Sequence, residues 1–152
     1  MCPYCESIEV SRVVYNKTTA IRMLEKLKEY NRDLEVFVDI SLSEYKINRI
    51  SKYAIERIVF LITENVLDIL EHYLSGKYKI LSDTYEEIIE NSFSNKVISQ
   101  DLYNSLKGIG KFRNVLAHEY LELDDELIFN GFKRITSFLP EFVSEVEALI
   151  EF

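Results

Sequence analysis

The feature that most constrains the fold is a long stretch of helical periodicity in the middle of the chain. Apolar residues recur at spacings of three and four from Ile47 to Tyr73, and the stretch ends at Ser75-Gly76. This spacing places the apolar side chains on one face of a helix. A helix of about 30 residues is about 45 Å long, a length typical of the spine of a helical bundle.

Four further helices are predicted around this spine. Ser41 or Ser43 is a candidate N-cap for the spine itself, and Pro140 is expected to kink or restart the last helix because proline lacks an N–H. No segment shows β alternation. The sequence therefore predicts an all-α, four- to five-helix, mostly up-and-down bundle. It forms a single domain, 1–152, with 1–17 as a short N-terminal extension. The other predicted helices span approximately 18–34, 83–93, 99–120 and 124–150.

Two glycines lie inside the fourth of these predicted helices. The whole chain has only four Gly and two Pro, so Gly108 and Gly110 stand out. Each costs about 1 kcal/mol relative to Ala in a helix interior. Their position just before Arg113 predicts a bend or a close crossing with another helix.

The composition leaves a local nucleic-acid site open but does not favour one. The net charge is −8, whereas binding to a polyanion draws on Lys and Arg. An acidic protein can still act on RNA if a few cations converge in one cleft. No apolar run approaches the ~18–20 residues of a membrane span, and the first residues lack the pattern of a signal peptide. We therefore expect a cytoplasmic protein without a membrane partner.

Cys2 and Cys5 form a CxxC pair, and the chain contains no other cysteine. A structural zinc site needs four ligands, so this pair is at most half a site. Incidental thiols near a terminus are the simpler interpretation, and a redox role or a metal shared between subunits is the alternative. No cofactor or metal is predicted.

The polar cluster that suggests chemistry lies in residues 112–120. Arg113 and Tyr120 are seven residues apart, near one face of an ideal helix, and Asn114 and His118 are neighbours at i and i+4. Arg113 and His118 diverge by about 140° at 100° per residue. They can serve one site only if the helix bends or a partner subunit closes over it.

These residue types suit cleavage of RNA without a metal. A histidine can take the proton of the 2′-hydroxyl or protonate the leaving 5′-oxygen. A guanidinium can hold the oxygens of the transition state, which gains negative charge. The alternative is that Arg113 and His118 are a structural hydrogen-bonded pair at a helix end.

The string RNVLAHEY at 113–120 matches the R-x4-H-x-Y form of the HEPN superfamily motif and resembles the HepT toxins of HepT/MntA toxin–antitoxin modules. Glu64, Asp68 and His72, at i, i+4 and i+8 of the spine helix, are similar to an E-x3-D-x3-H ridge of these proteins. The resemblance covers approximately 18–150.

The resemblance implies a toxin with endoribonuclease activity toward RNA such as tRNA or mRNA. Arg113 and His118 match the ribonuclease pair of the HEPN motif. Asn114 matches the position that orients the histidine. Tyr120 matches the tyrosine to which a cognate MntA-type nucleotidyltransferase antitoxin adds AMP. The alternative is that Tyr120 is an aromatic residue of the core. HEPN proteins pair as homodimers with a shared groove, which implies a homodimer or a higher oligomer here.

Other polar residues are expected to support the site. Asp68 or Glu64 is expected to face Arg113 and orient it, with His72 near the cleft; alternatively the three form a solvated ridge. Lys107 and Lys111 are candidates for contacting RNA, together with the pair at 133–134, or are ordinary surface cations.

Two other functions are compatible with the same residues. A non-catalytic HEPN module would use the same Arg and His to hold a nucleotide or phosphate while it docks a nucleotidyltransferase. A purely structural helical dimer would tolerate the loss of Arg113.

Overall fold

The computed structural model describes residues 15–118 and 123–151, and within these ranges the chain is helical and has no β-strand. The all-helical prediction is confirmed. Two of the five predicted helices are each divided in two, so the described residues form seven. These are α1 (Lys17–Glu35), α2 (Leu42–Ile47), α3 (Arg49–Tyr78), α4 (Tyr85–Ser94), α5 (Gln100–Leu106), α6 (Ile109–His118) and α7 (Asp125–Glu151).

Short polar side chains mark where several helices begin. Ser41, one of the two candidate caps, accepts a hydrogen bond from the backbone of Glu44 and closes a capping box at the start of α2. Thr84 and Ser99 likewise cap α4 and α5 by accepting a backbone hydrogen bond. Each such cap satisfies backbone N–H groups that have no partner within the helix, and replacing one by Ala typically costs about 1 kcal/mol.

The core lies between the long helices α1, α3 and α7. Helix α3 packs against α1, α4, α6 and α7, and α2 also lies against it, as expected for the spine of the bundle. Burying one large apolar side chain contributes about 1.5–3 kcal/mol relative to leaving it exposed. The fully buried side chains include Leu27, Leu34, Ile55, Ile62, Leu70, Phe132 and Phe142.

The glycines before Arg113 perform the two functions that their positions predict. Gly108 lies at the break between α5 and α6 with a φ of 82°, a conformation that residues with a Cβ rarely adopt. At Gly110 a Cβ would collide with the side chain of Tyr85 on α4. The pair therefore sets the direction of α6 and brings it against α4.

Helix α7 continues through Pro140, so the helix does not restart there, and the alternative of a kink stays a prediction. Phe138, Leu139 and Phe142 are all buried around the proline. Their packing stabilises the helical conformation despite the hydrogen bond that proline cannot donate.

The long helices of the described ranges carry charged residues along their length. None of these helices is long and apolar enough to cross a membrane.

Candidate functional site

The Arg113 guanidinium is held from two sides by side chains that accept its hydrogen bonds. Its Nε donates to Glu64 Oε1 on α3, and its Nη1 donates to Asn114 Oδ1 at 3.2 Å. The Arg113 side chain is only 19% exposed and that of Glu64 33%. A partly buried, charge-assisted pair is stronger than a neutral hydrogen bond and fixes the plane of the guanidinium. Of the two carboxylates expected opposite Arg113, Glu64 is the one in contact.

Two aromatic rings also hold this guanidinium. Arg113 Cζ lies 5.4 Å from the ring centroid of Phe60 on α3 and 5.5 Å from that of Tyr85 on α4. Both distances are within the range of cation–π attraction. Sequence reasoning missed these two residues. Phe60 could have been found, since it lies one turn before Glu64 on the same face of α3, whereas Tyr85 comes from a separate helix.

Asp68 lies on the exposed side of α3, one turn beyond Glu64. Partial desolvation, reinforced by the Glu64 and Glu71 carboxylates, raises the pKa of Asp68, and the Arg113 guanidinium opposes this. Asp68 is therefore close enough to Arg113 to interact with its charge, but its carboxylate makes no direct contact with the guanidinium.

His72 makes its contacts at the beginning of α1. Its Nε2 lies 3.3 Å from both the backbone N and O of Asn16, and its ring centroid lies 5.8 Å from that of Tyr15. These contacts anchor the first described residues to α3. The structure thus places His72 two turns beyond Glu64, against α1 rather than against the Arg113 guanidinium.

His118 is the last residue of α6 and is exposed to solvent. Helix α6 is continuous from Ile109 to His118, so the divergence of about 140° between Arg113 and His118 is retained. The break at Gly108 comes before both residues, so it does not change the angle between their side chains. The described part of α6 therefore does not bring the two groups to the same side of the helix.

The two lysines expected to contact RNA are exposed near the start of α6. Lys107 lies at the junction of α5 and α6 with its Nζ 4.5 Å from the ring centroid of Tyr103, and Lys111 lies on α6 itself. The pair at 133–134 donates hydrogen bonds to backbone carbonyls. Lys133 donates to the Val38 carbonyl at 2.6 Å, and Arg134 donates to the Lys107 carbonyl at 2.6 Å.

Two of the grooves that border α6 have opposite characters. The first, which we term the Arg57 groove, encloses about 310 Å³ between α3 and α6 and is lined by Tyr53, Glu56, Arg57, Phe60, Leu116, Ala117 and Leu123. The second, the acidic groove, encloses about 490 Å³ beside α4. Its lining includes Asn114 and Tyr85 together with the carboxylates of Glu71, Asp83 and Glu86.

Three of the residues singled out from the sequence, Tyr120, Cys2 and Cys5, lie outside the described ranges. Within those ranges no group of three or more His, Cys, Asp and Glu side chains is arranged to hold a metal ion. Glu64 and Asp68 form a charged surface of α3 beside Arg113.

Known proteins resemble the chain in sequence over most of its length. The family described as ribonuclease HepT-like matches residues 24–146. The "tRNA nuclease HepT" of Aphanizomenon flos-aquae is 26% identical over 127 residues, which cover 84% of this chain and 86% of that protein.

Solved structures share the fold. YutE from Bacillus subtilis, a cytosolic protein of unknown function, matches with a TM-score of 0.76 at 19% identity over 90% of this chain and 92% of its own. The tri-AMPylated HEPN toxin of Shewanella oneidensis, solved in complex with its MNT antitoxin, matches with a TM-score of 0.73 at 18% identity. That alignment covers 85% of this chain and 96% of the toxin chain.

The matched range of the family spans the spine helix, the Arg113 contacts with Glu64 and Asn114, and the helix that ends at His118. The structural neighbours agree with the helical architecture over the same region. The chain therefore belongs to the ribonuclease HepT-like family.

Proposed function

We propose that this protein is the toxin of a toxin–antitoxin module and cleaves RNA as a metal-independent endoribonuclease. The observation that carries the proposal is the fixed Arg113 guanidinium, oriented by Glu64 and Asn114 and flanked by two rings, on the same short helix as an exposed histidine. Family membership supports ribonuclease chemistry at these positions.

The proposed reaction is attack of a 2′-hydroxyl on the adjacent phosphorus. His118 removes the hydroxyl proton or donates a proton to the 5′-oxygen as it leaves. The bond from phosphorus to O2′ forms while the bond to O5′ breaks, which leaves a cyclic phosphate and a 5′-hydroxyl. Arg113 contacts the non-bridging oxygens, whose negative charge grows in the transition state. Asn114 acts as a positioning residue by holding Nη1.

A second copy of the chain completes the proposed site. Arg113 and His118 leave α6 in directions about 140° apart, so Arg113 of one protomer and His118 of the other meet at one phosphate across a shared groove. A symmetric dimer would contain two such sites.

Transfer RNA is the first substrate to test, because a relative is known as a tRNA nuclease. Purified protein is incubated with total tRNA in EDTA, and the products are resolved on a denaturing gel. We expect cleavage by the wild type and none by His118→Ala. Cleavage that requires added Mg²⁺, or that His118→Ala retains, would contradict the proposed chemistry.

The proposed off-switch is the addition of AMP to Tyr120 by a nucleotidyltransferase antitoxin. A HEPN toxin of the same fold is AMPylated and binds an MNT antitoxin. An added phosphodiester competes with RNA for cations and blocks the cleft sterically. Intact-mass measurement after coexpression with the antitoxin should show one or more added AMP units, all absent in Tyr120→Phe.

One observation favours the non-catalytic alternative. Since α6 is continuous between Arg113 and His118, a monomer would present only Arg113 and Asn114 to a phosphate. Such a protein would bind a nucleotide and dock the nucleotidyltransferase without cleaving RNA. Binding of tRNA by the wild type with intact products in the gel assay would support this function.

A further inference from the structure

We infer that the Arg57 groove binds the nucleotide next to the cleaved phosphate, with Arg57 on the neighbouring phosphate and a nucleobase stacked on Tyr53. This inference rests on the proposed ribonuclease function and adds two residues that contact the RNA. The occupant is single-stranded RNA, since a base within a duplex is not free to stack on a side chain.

Arg57 lies on the same face of α3 as the residues that hold Arg113. Tyr53, Arg57, Phe60 and Glu64 follow one another at spacings of four, three and four residues, and so lie along one face of α3. Arg57 Cζ lies 5.5 Å from the Phe60 ring centroid, and Arg113 Cζ lies 5.4 Å from the same centroid, so the two guanidinium carbons are at most about 11 Å apart. The two cations can therefore contact neighbouring phosphates of one strand.

The charge of Arg57 is available to a ligand. Its side chain is exposed and pairs with no carboxylate among the described residues. Glu56 lines the same groove, but its carboxylate accepts a hydrogen bond from the hydroxyl of the buried Tyr45. By contrast, Glu64 engages the Nε of Arg113. Arg57 thus offers a phosphate its whole positive charge, whereas Glu64 neutralises part of the charge of Arg113.

The contrast between the two grooves sets the direction in which RNA approaches Arg113. The acidic groove presents the carboxylates of Glu71 on α3, Asp83 just before α4 and Glu86 on α4, which would repel a phosphate chain. The Arg57 groove presents the Arg57 guanidinium and mostly apolar side chains, and its one carboxylate among the lining residues, Glu56, accepts a hydrogen bond from Tyr45. An RNA strand that reaches Arg113 therefore lies along the first half of α3, and this explains how a chain with a net charge of −8 can bind it.

Tyr53 provides the surface for a base. Its side chain is 57% exposed at the edge of the groove, one turn before Arg57. The floor is formed by Phe60, Leu116 and Ala117, and a groove of about 310 Å³ is at the small end of ligand pockets. Aromatic rings on single-strand binders stack with bases of any identity. The groove thus combines the apolar platform and the cation that one nucleotide requires.

The test measures RNA affinity in the full-length His118→Ala protein, which binds without cleaving. The probe is a fluorescent single-stranded RNA of about 12 nucleotides, titrated between about 50 and 200 mM salt. Arg57→Gln should weaken binding about tenfold and lower the slope of log affinity against log salt by about 0.7. Tyr53→Ala should weaken binding about 5- to 150-fold with an unchanged slope, and Tyr53→Trp should restore it.

Matched controls come from exposed residues elsewhere on the surface. Arg22→Gln on α1 and Tyr78→Ala at the end of α3 should leave both affinity and slope at the values of the parent protein. If Arg57→Gln and Arg22→Gln give the same slope, Arg57 contacts no phosphate and the inference is wrong. Arg57→Lys, which keeps the charge, serves as the folded comparison if Arg57→Gln loses its helical circular dichroism.

The design separates this inference from the proposed function. Wild-type protein that cleaves tRNA while Arg57→Gln and Tyr53→Ala bind as the parent does would overturn the groove assignment alone. Protein that neither binds nor cleaves RNA would overturn both. Sedimentation of the same variants tests a second copy of the chain as the occupant, since a shift from dimer to monomer in Tyr53→Ala would show that the groove is an interface between copies.

Discussion

Glu64 on α3 accepts a hydrogen bond from Nε of Arg113 on α6, although the two residues are 49 positions apart in the chain. The carboxylate leaves Nη2 and part of Nη1 free to face a phosphate. A positioning contact of this kind lowers the cost of orienting the guanidinium when substrate arrives. The Glu64 carboxylate also competes with the phosphate for the charge of Arg113. Loss of the carboxylate should lower the cleavage rate if orientation matters more, and raise it if competition matters more.

Variants of Glu64 distinguish orientation from competition. Glu64→Gln keeps an oxygen that can accept from Arg113, so single-turnover tRNA cleavage should remain within about threefold of wild type. Glu64→Ala removes the acceptor and should lower the rate about 10- to 100-fold, while the RNA affinity stays within about threefold. A rate equal to or above wild type in Glu64→Ala would show that the carboxylate chiefly competes with substrate.

Asp68 supports the site at longer range, so its removal should matter less. Arg113→Ala should lower the rate of cleavage about 10²- to 10³-fold, as expected for loss of a group that stabilises the transition state. Asp68→Ala should cause a smaller loss in the same gel assay, because its carboxylate does not touch the guanidinium. An equal or greater loss in Asp68→Ala would refute its supporting role.

Gly110 controls how closely α6 approaches α4. Because a Cβ at this position would collide with Tyr85, Gly110→Ala should lower the free energy of unfolding by about 1–3 kcal/mol, despite the better helix propensity of Ala. The measurement is urea unfolding followed by circular dichroism. Lys111→Ala, at the exposed next position of the same helix, should stay within about 0.5 kcal/mol of wild type. Equal stabilities of both variants and wild type would mean that Tyr85 can move aside.

The local features of the fold were predictable because their signals are local. Caps such as Ser41 and Ser99 act on backbone groups three residues away. Gly108 breaks the fourth predicted helix through its own φ. Asn48, which caps α3 and separates it from α2, is the signal that was missed. Residues that apolar periodicity joins into one helix can still be divided by a single capping side chain.

The contacts that build the site could be predicted only in part. The i, i+4 ridge predicted Asp68 or Glu64 opposite Arg113, and the structure shows that Glu64 makes the contact. The Tyr85 contact depends on how α4 packs against α6, and the His72 contact joins residues 56 positions apart. Such contacts depend on the packing of whole helices, which periodicity within one helix does not specify. The meeting of Arg113 with His118 stays a prediction.

The Asp68 carboxylate on α3 makes the free energy of unfolding depend on pH. Partial desolvation and the carboxylates of Glu64 and Glu71 raise its pKa in the folded state, so folding favours the protonated form. The stabilising contribution of Asp68 is present below its pKa in the unfolded chain, about 3.9. It is lost as the pH rises through its pKa in the folded protein. Asp68→Asn should therefore become more stable than wild type as the pH rises from about 4 to 7, by at most about 1 kcal/mol because the group is exposed.

Urea unfolding of both proteins across this pH range checks the sign. The gain in Asp68→Asn should shrink toward zero at the acidic end, where the wild-type aspartate is protonated in both states. A difference that stays constant with pH, or that favours wild type at pH 7, would show that Arg113 stabilises the charged form of Asp68 more than its surroundings destabilise it.

The direction in which Arg113 and His118 leave α6 makes a prediction about mixed dimers. If each site takes its guanidinium from one protomer and its imidazole from the other, Arg113→Ala and His118→Ala are each inactive alone. Mixing and reannealing the two variants should restore about a quarter of wild-type cleavage, because half of the dimers are mixed and only one of their two sites is intact. Mixing either variant with itself supplies the control. A site built within one chain would give the opposite result, because each variant lacks one of the two groups. The mixture would then recover no activity while wild type cleaves normally.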